Sequence, residues 1–267
     1  MSTTTLHTAT GTGTFRIALQ GTADAPVLVL SNSLGTTLEM WDAQATALSA
    51  DWRVLRYDTR GHGGSVCNPG PYSFTQLGQD VLAILDALHI EQAHFCGISM
   101  GGLTGLWLGV NAPARMRSIT VANSAAKIGV ESAWLERATM VRAQGAAAMQ
   151  TLAASSPSRW FTENFAAAQP AMVQTAQGWI AGISPEGYAS CCEALAKEDL
   201  RSAISGITVP TLLIAGEHDP VTTVADAQAM QAAIANAQLA TVPASHLSNL
   251  EAPAAFEQAL TGFLNQH

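Results

Sequence analysis

Phe95-Cys96-Gly97-Ile98-Ser99-Met100-Gly101-Gly102-Leu103 decides the reading of this chain. It contains Gly-x-Ser-x-Gly. A short apolar run over 93–96 leads into it, and Leu103, Leu106, Trp107 and Val110 follow at helical spacing. The motif therefore falls where a strand turns into a helix. A sharp turn there strains the backbone at Ser99 and exposes its hydroxyl. Gly97 and Gly101 lack a Cβ, so neighbouring chain can come close.

Strand-like runs recur on both sides, at 27–30, 54–57, 119–122, 211–215 and 238–242. Two earlier runs, 3–8 and 14–19, flank Gly11 and Gly13 and predict an opening hairpin. Helical runs lie between. The spacing predicts a helix over 75–88, with Leu77, Val81, Ile84, Leu85 and Leu88 on one face and Ser73 with Gln76 as a capping box. The last helix starts near Pro253 and buries Phe256, Leu260, Phe263 and Leu264. This alternation predicts an α/β fold, a mostly parallel eight-stranded sheet with helices on both faces. It breaks over 124–192, which is Ala-rich, helical in pattern and holds three of the six tryptophans, Trp134, Trp160 and Trp179. Ordinary strand-to-strand connections are far shorter. The expectation is an inserted helical cap at 124–192 over a core of 1–123 and 193–267.

The composition narrows the function classes. At 48% hydrophobic and 12% charged, 267 residues can bury a large core. A net charge of −8 lacks the basic footprint of a nucleic-acid binder. No apolar run approaches membrane-spanning length, and the polar start, Met1-Ser2-Thr3-Thr4-Thr5, has no apolar signal core. The expected location is the cytoplasm, with no membrane partner. Four cysteines show neither a Cys-x-x-Cys pair nor zinc-like spacing, and Cys191 and Cys192 are adjacent.

A serine hydroxyl needs a base held against it. Where serine sits on such an elbow, the acid and then the base follow in the chain. Gly216-Glu217-His218-Asp219-Pro220 follows a late strand and supplies the acid, Asp219, with Glu217 as its competitor. The base is His246, after the last strand and before the last helix. His94 lies inside a strand, His89 ends a helix, His7 and His267 are near the termini, and His62 sits in a turn near the expected site. The oxyanion donors are the backbone N–H groups of Met100, at a helix N-terminus, and of Leu34, in Ser31-Asn32-Ser33-Leu34-Gly35-Thr36. The glycines of Asp58-Thr59-Arg60-Gly61-His62-Gly63-Gly64-Ser65 lack the Lys-Ser/Thr of a phosphate loop and predict a packed turn.

With these residues in view, the chain resembles an α/β hydrolase with a helical cap, and within that superfamily the 3-oxoadipate enol-lactonases. The resemblance is carried by Ser31-Asn32-Ser33-Leu34-Gly35-Thr36, Tyr57-Asp58-Thr59-Arg60-Gly61-His62-Gly63, Gly97-Ile98-Ser99-Met100-Gly101-Gly102, Asn123-Ser124-Ala125-Ala126-Lys127-Ile128-Gly129 and Pro185-Glu186-Gly187-Tyr188-Ala189-Ser190-Cys191-Cys192. Asn32-Ser33 stands where the superfamily usually has His-Gly. The resemblance implies a small anionic lactone as substrate, opened through a Ser99 acyl-enzyme, with no metal and no organic cofactor. The substrate carboxylate then needs a cation. Trp134 and Arg137 share a helix face, so Arg137 is a candidate for the carboxylate and Trp134 for the wall, with Arg142 and Arg159 behind them. The other reading packs Trp134 in the cap and pairs Arg137 with Glu136, Glu131 or solvent. Rival functions on the same triad are a carboxylesterase and a cofactor-free perhydrolase. A ligand-sensing hydrolase-fold protein is a rival of another class.

Overall fold

The computed structural model describes residues 4–267. Its strands are β1 (Thr4–Thr10), β2 (Gly13–Gln20), β3 (Val27–Ser31), β4 (Arg53–Tyr57), β5 (Ala93–Ile98), β6 (Met116–Ala122), β7 (Thr211–Gly216) and β8 (Gln238–Val242). They form one eight-stranded sheet in the order β1-β2-β4-β3-β5-β6-β7-β8. The β1–β2 and β2–β4 pairs are antiparallel and every later pair is parallel. The opening hairpin is β1–β2, and Thr3 lies outside the described residues.

Outside the β6–β7 connection the helices are α1 (Asp42–Leu48), α2 (Phe74–Ala87), α3 (Met100–Asn111), α10 (Val224–Ala233), α11 (Ser248–Glu251) and α12 (Pro253–Leu264). α1 packs on α12 and α2 on α3. Every residue of β5 and β7 is buried, so both faces of the sheet centre are covered. That is why these strands read as unbroken apolar runs rather than alternating ones. α2 starts one residue before its expected position. Ser73 Oγ accepts the Gln76 N–H at 3.2 Å, which is half of the expected capping box. The complete box opens α10, between Thr223 and Asp226.

Between β6 and β7 run α4 (Glu131–Gln144), α5 (Ala146–Ser155), α6 (Pro157–Trp160), α7 (Glu163–Ala168), α8 (Pro170–Ala181) and α9 (Pro185–Lys197). Gly145, Pro157, Pro170 and Pro185 set the breaks, since proline fits a first turn but not a helix interior. α9 continues to Lys197, past the expected end of the helical block at 192. Its first turn lies on the core loop at Gly61, which has φ 79°. A Cβ on Gly61 or Gly187 would collide with the backbone of the other. Among the described residues, no helix is long and apolar enough to cross a membrane.

Candidate active site

Ser99 occupies the junction of β5 and α3 at φ 57° and ψ −115°, a conformation costly for a residue with a Cβ. Surrounding bonds hold it there. Its N–H donates to the Ala122 carbonyl at 3.0 Å, and its carbonyl accepts from Leu103 N–H at 2.9 Å and Ser124 Oγ at 2.8 Å. The turn is possible because a Cβ on Gly97 would strike the Gly101 carbonyl, and one on Gly101 the Ser31 carbonyl. The Ser99 hydroxyl makes no hydrogen bond to another described residue and lines a cavity of about 130 Å³.

His246 lines the same cavity. Its Nδ1 lies 2.8 Å from Asp219 Oδ2. A carboxylate can only accept, so Nδ1 carries the proton and Nε2 is left as the basic nitrogen. Asp219 is buried beside the ring, whereas Glu217 and His218 are exposed. Burial works to raise the Asp219 pKa. The charge and hydrogen bond of His246, the Asn123 amide and the Val221 N–H outweigh it and hold the carboxyl below its ordinary value. The acid is therefore ionised at neutral pH and can steady an imidazolium.

The N–H groups of Leu34 and Met100 have no acceptor among the described residues. Met100 opens α3, whose dipole favours negative charge at that end. The Leu34 loop is fixed from below. Gly35 N–H donates to His62 Nε2 at 3.0 Å, and His62 Nδ1 donates to the Arg60 carbonyl at 3.2 Å. Asn32 Nδ2 donates to the Tyr57 carbonyl at 3.0 Å, so Asn32 ties the loop to the end of β4. Around it, Asp58 accepts the N–H groups of Leu38 and Gly64, and Arg60 pairs with Asp80 in the interior. The glycine-rich segment is a packed turn.

Over the cavity stand Trp134, Arg137, Arg159 and Tyr188. The Arg137 guanidinium sits 4.8 Å from the centroid of Trp134, whose Nε1 donates to the Ile128 carbonyl at 2.7 Å. Glu131 pairs with Lys197 instead, and neither Arg137 nor Arg159 pairs with a carboxylate among the described residues. Burial, and then the nearby charge of Arg137, lower the Arg159 pKa from its ordinary value, yet a guanidinium remains charged. Arg142 turns away from the cavity to Glu186 and Glu193. His94 bonds Ser118 Oγ at 2.8 Å inside the sheet. Among the described residues, no cluster of His, Cys, Asp or Glu could hold a metal ion.

Tyr188 and Asn123 are polar residues of this neighbourhood that had no role in the sequence reading. Tyr188 was visible only as part of a cap motif. Asn123, directly after β6, was visible only as the start of a segment that carried the resemblance.

The comparisons agree with this architecture. The family model of the alpha/beta hydrolase fold matches residues 26–253. The chain is 49% identical over 246 residues to 3-oxoadipate enol-lactonase 2 of Acinetobacter baylyi, covering 92% of this chain and 91% of that one. It is 33% identical to a putative carbamate hydrolase, RutD, of Pseudomonas syringae, over 91% of this chain and 95% of that one. The crystal structure of the enol-lactonase from Burkholderia xenovorans superposes with a TM-score of 0.94 at 42% identity, covering 97% of this chain and all of the other. From the elbow at Ser99 to the helices between β6 and β7, the chain belongs to the α/β hydrolase fold family.

Proposed function

We propose that this protein hydrolyses the enol-lactone of 3-oxoadipate. One observation carries the substrate choice. The cavity that holds the Ser99 hydroxyl and His246 is also lined by two guanidiniums without a carboxylate partner. Both are half-buried, and a cation drawn partly out of water favours an opposite charge beside it, so a site built this way suits an anionic ligand. The identity of the enol-lactonases to this chain supplies the particular anion.

The chemistry follows from the groups present. His246 Nε2 takes the Ser99 proton while Oγ attacks the lactone carbonyl. The tetrahedral oxyanion receives the Leu34 and Met100 N–H groups, each worth about 3 kcal/mol in the transition state. Asp219 holds the ring and offsets its charge. The carbonyl–oxygen bond breaks, the ring opens to an acyl-enzyme, and the leaving oxygen departs as an enol. An enol is a better leaving group than an alkoxide, so less is asked of His246 as an acid. Water, deprotonated by His246, then releases the carboxylate, and the enol becomes a ketone. Arg137, stacked on Trp134, holds the substrate's free carboxylate, with Arg159 as the second cation.

Steady-state hydrolysis of the enol-lactone and of a neutral aryl ester, side by side, tests the reading. Ser99→Ala should cut turnover of both by on the order of 10⁴-fold or more. Arg137→Ala should raise KM for the lactone by roughly tenfold to a hundredfold, the worth of a charge-assisted bond, and leave the ester unchanged. Equal effects on both substrates, or an ester turned over faster than the lactone, would count against the anionic lactone.

A further inference from the structure

Asn123 stands behind the proposed catalytic groups and is buried, with φ 43°. Its N–H donates to the Ile214 carbonyl at 2.8 Å, extending the β6–β7 contact past the end of the ladder. Its side-chain amide does three things at once. Nδ2 donates to Asp219 Oδ2 at 3.0 Å and to the Ser245 carbonyl at 3.2 Å, and Oδ1 accepts from Ser248 Oγ at 2.5 Å. One side chain thus bridges the loop that carries the acid and the loop that carries the base. The Asp219 carboxylate and the Ser245 carbonyl can only accept, so Nδ2 faces them and Oδ1 is left to take the Ser248 hydroxyl proton.

The donors on Asp219 divide by origin. Oδ1 accepts the N–H groups of Val221 at 2.7 Å and Thr222 at 3.1 Å. Oδ2, the oxygen that faces the ring, accepts Thr222 Oγ1 at 2.9 Å, His246 Nδ1 at 2.8 Å and Asn123 Nδ2. Apart from His246 itself, Asn123 is the donor that comes from outside the acid's own loop. It also competes with the ring for the same oxygen.

We propose that Asn123 is a positioning residue, which sets where Asp219 sits relative to His246 and limits how strongly Oδ2 holds the protonated ring. A carboxylate stripped of a neutral donor binds the imidazolium more tightly, so the ring takes a proton more readily and the free base is lost at higher pH. Other charges face His246 as well. Arg137 and Arg159, with the phenol of Tyr188, line its cavity, and Glu251 accepts the Ser245 N–H at 2.9 Å on the loop before it. None of these hydrogen-bonds to Asp219 or to the Asn123 side chain among the described residues, so a change at Asn123 breaks none of their bonds.

The inference rests on the serine-hydrolase reading above but not on the choice of lactone. Its test is the pH profile of kcat/KM with a neutral aryl ester, in the wild type, Asn123→Gly, Asn123→Ala, Ser248→Ala and Ser99→Ala. Glycine removes the side chain while accepting the positive φ, and alanine adds the backbone strain, so the pair separates the amide from the turn. The acid limb should move up by roughly half a pH unit to one unit in Asn123→Gly and Asn123→Ala, and by less in Ser248→Ala. The plateau should fall about tenfold with the amide. Acid limbs that coincide with the wild type, with only the plateau or the melting temperature lowered, would reduce Asn123 to packing and overturn the proposal. Activity that survives in Ser99→Ala would instead overturn the serine mechanism itself.

Discussion

His62 is uncharged in the folded protein, and the fold depends on that. Burial lowers its pKa from 6.5 to about 4. Its Nε2 accepts the Gly35 N–H, which an imidazolium cannot do. Between those two pH values the unfolded chain binds a proton that the folded chain refuses, so stability is full above about 6.5 and falls as the pH drops toward 4. A shift of that size is worth ~3 kcal/mol. Burial likewise lowers His94 to about 4, so it adds a slope of the same sign. Urea midpoints measured between pH 7.5 and 4.5 should therefore drop steeply in the wild type and less steeply in His62→Gln, which keeps an acceptor without the charge. Parallel slopes would remove His62 from this account. At this scale the sequence was informative wherever chemistry fixes an order along the chain. Serine, aspartate and histidine follow one another, and the structure places Asp219 Oδ2 2.8 Å from His246 Nδ1 beside the cavity that Ser99 lines. The placement of Tyr188 and Asn123 was not legible, because which groups face each other across two loops depends on the whole packing.

At the scale of elements, the central helices are squeezed rather than merely amphipathic. α3 is buried from Met100 through Gly109, so its sequence carries no polar stripe to read. Its Trp107 lies against Gly78 of α2, where an added Cβ would meet the indole at 2.0 Å. Two effects oppose each other in Gly78→Ala. Helix propensity favours alanine by up to about 1 kcal/mol, and overpacking a buried contact costs about 1–3 kcal/mol. The collision is with a rigid ring on a buried helix, so the variant should be less stable by about 1–2 kcal/mol. Gly262 of α12 has nothing within 4 Å of its would-be Cβ, so Gly262→Ala should be stabilising by up to about 1 kcal/mol. Denaturant midpoints of the two variants should move in opposite directions, and a shared direction would contradict the packing argument. The helices between β6 and β7 were legible as helical but not as six pieces. Runs of alanine such as 146–148 and 166–168 favour helix everywhere and mark no face, and only the glycine and prolines carry the breaks.

Over the whole molecule, stability is distributed unevenly. β5 and β7 are buried throughout, and α9 is buried from Gly187 to Ala196 with Glu193 the one partly open position. α7 buries none of its residues, and α8 buries only Ala176 and Ile180. Native-state hydrogen exchange should find amides of α9 protected nearly as well as those of β5, and amides of α7 and α8 opening with a much smaller free energy. Uniform exchange across all the helices between β6 and β7 would contradict that gradient. The alternation of strands and helices made the sheet readable from sequence at this scale, because a parallel strand covered on both faces is mostly apolar. The seam between sheet and overlying helices was not readable, since it rests on glycines far apart in the chain.

That seam has a mechanical consequence. At Gly61 and Gly187 two backbones meet with room between them for hydrogen atoms alone. The roof of the pocket is thus riveted at its trailing edge, and lifting it there would tear open a contact that no side chain can cushion. Any movement of the roof is therefore left to α7 and α8, which bury least of themselves, while the absence of two methyl groups pins α9.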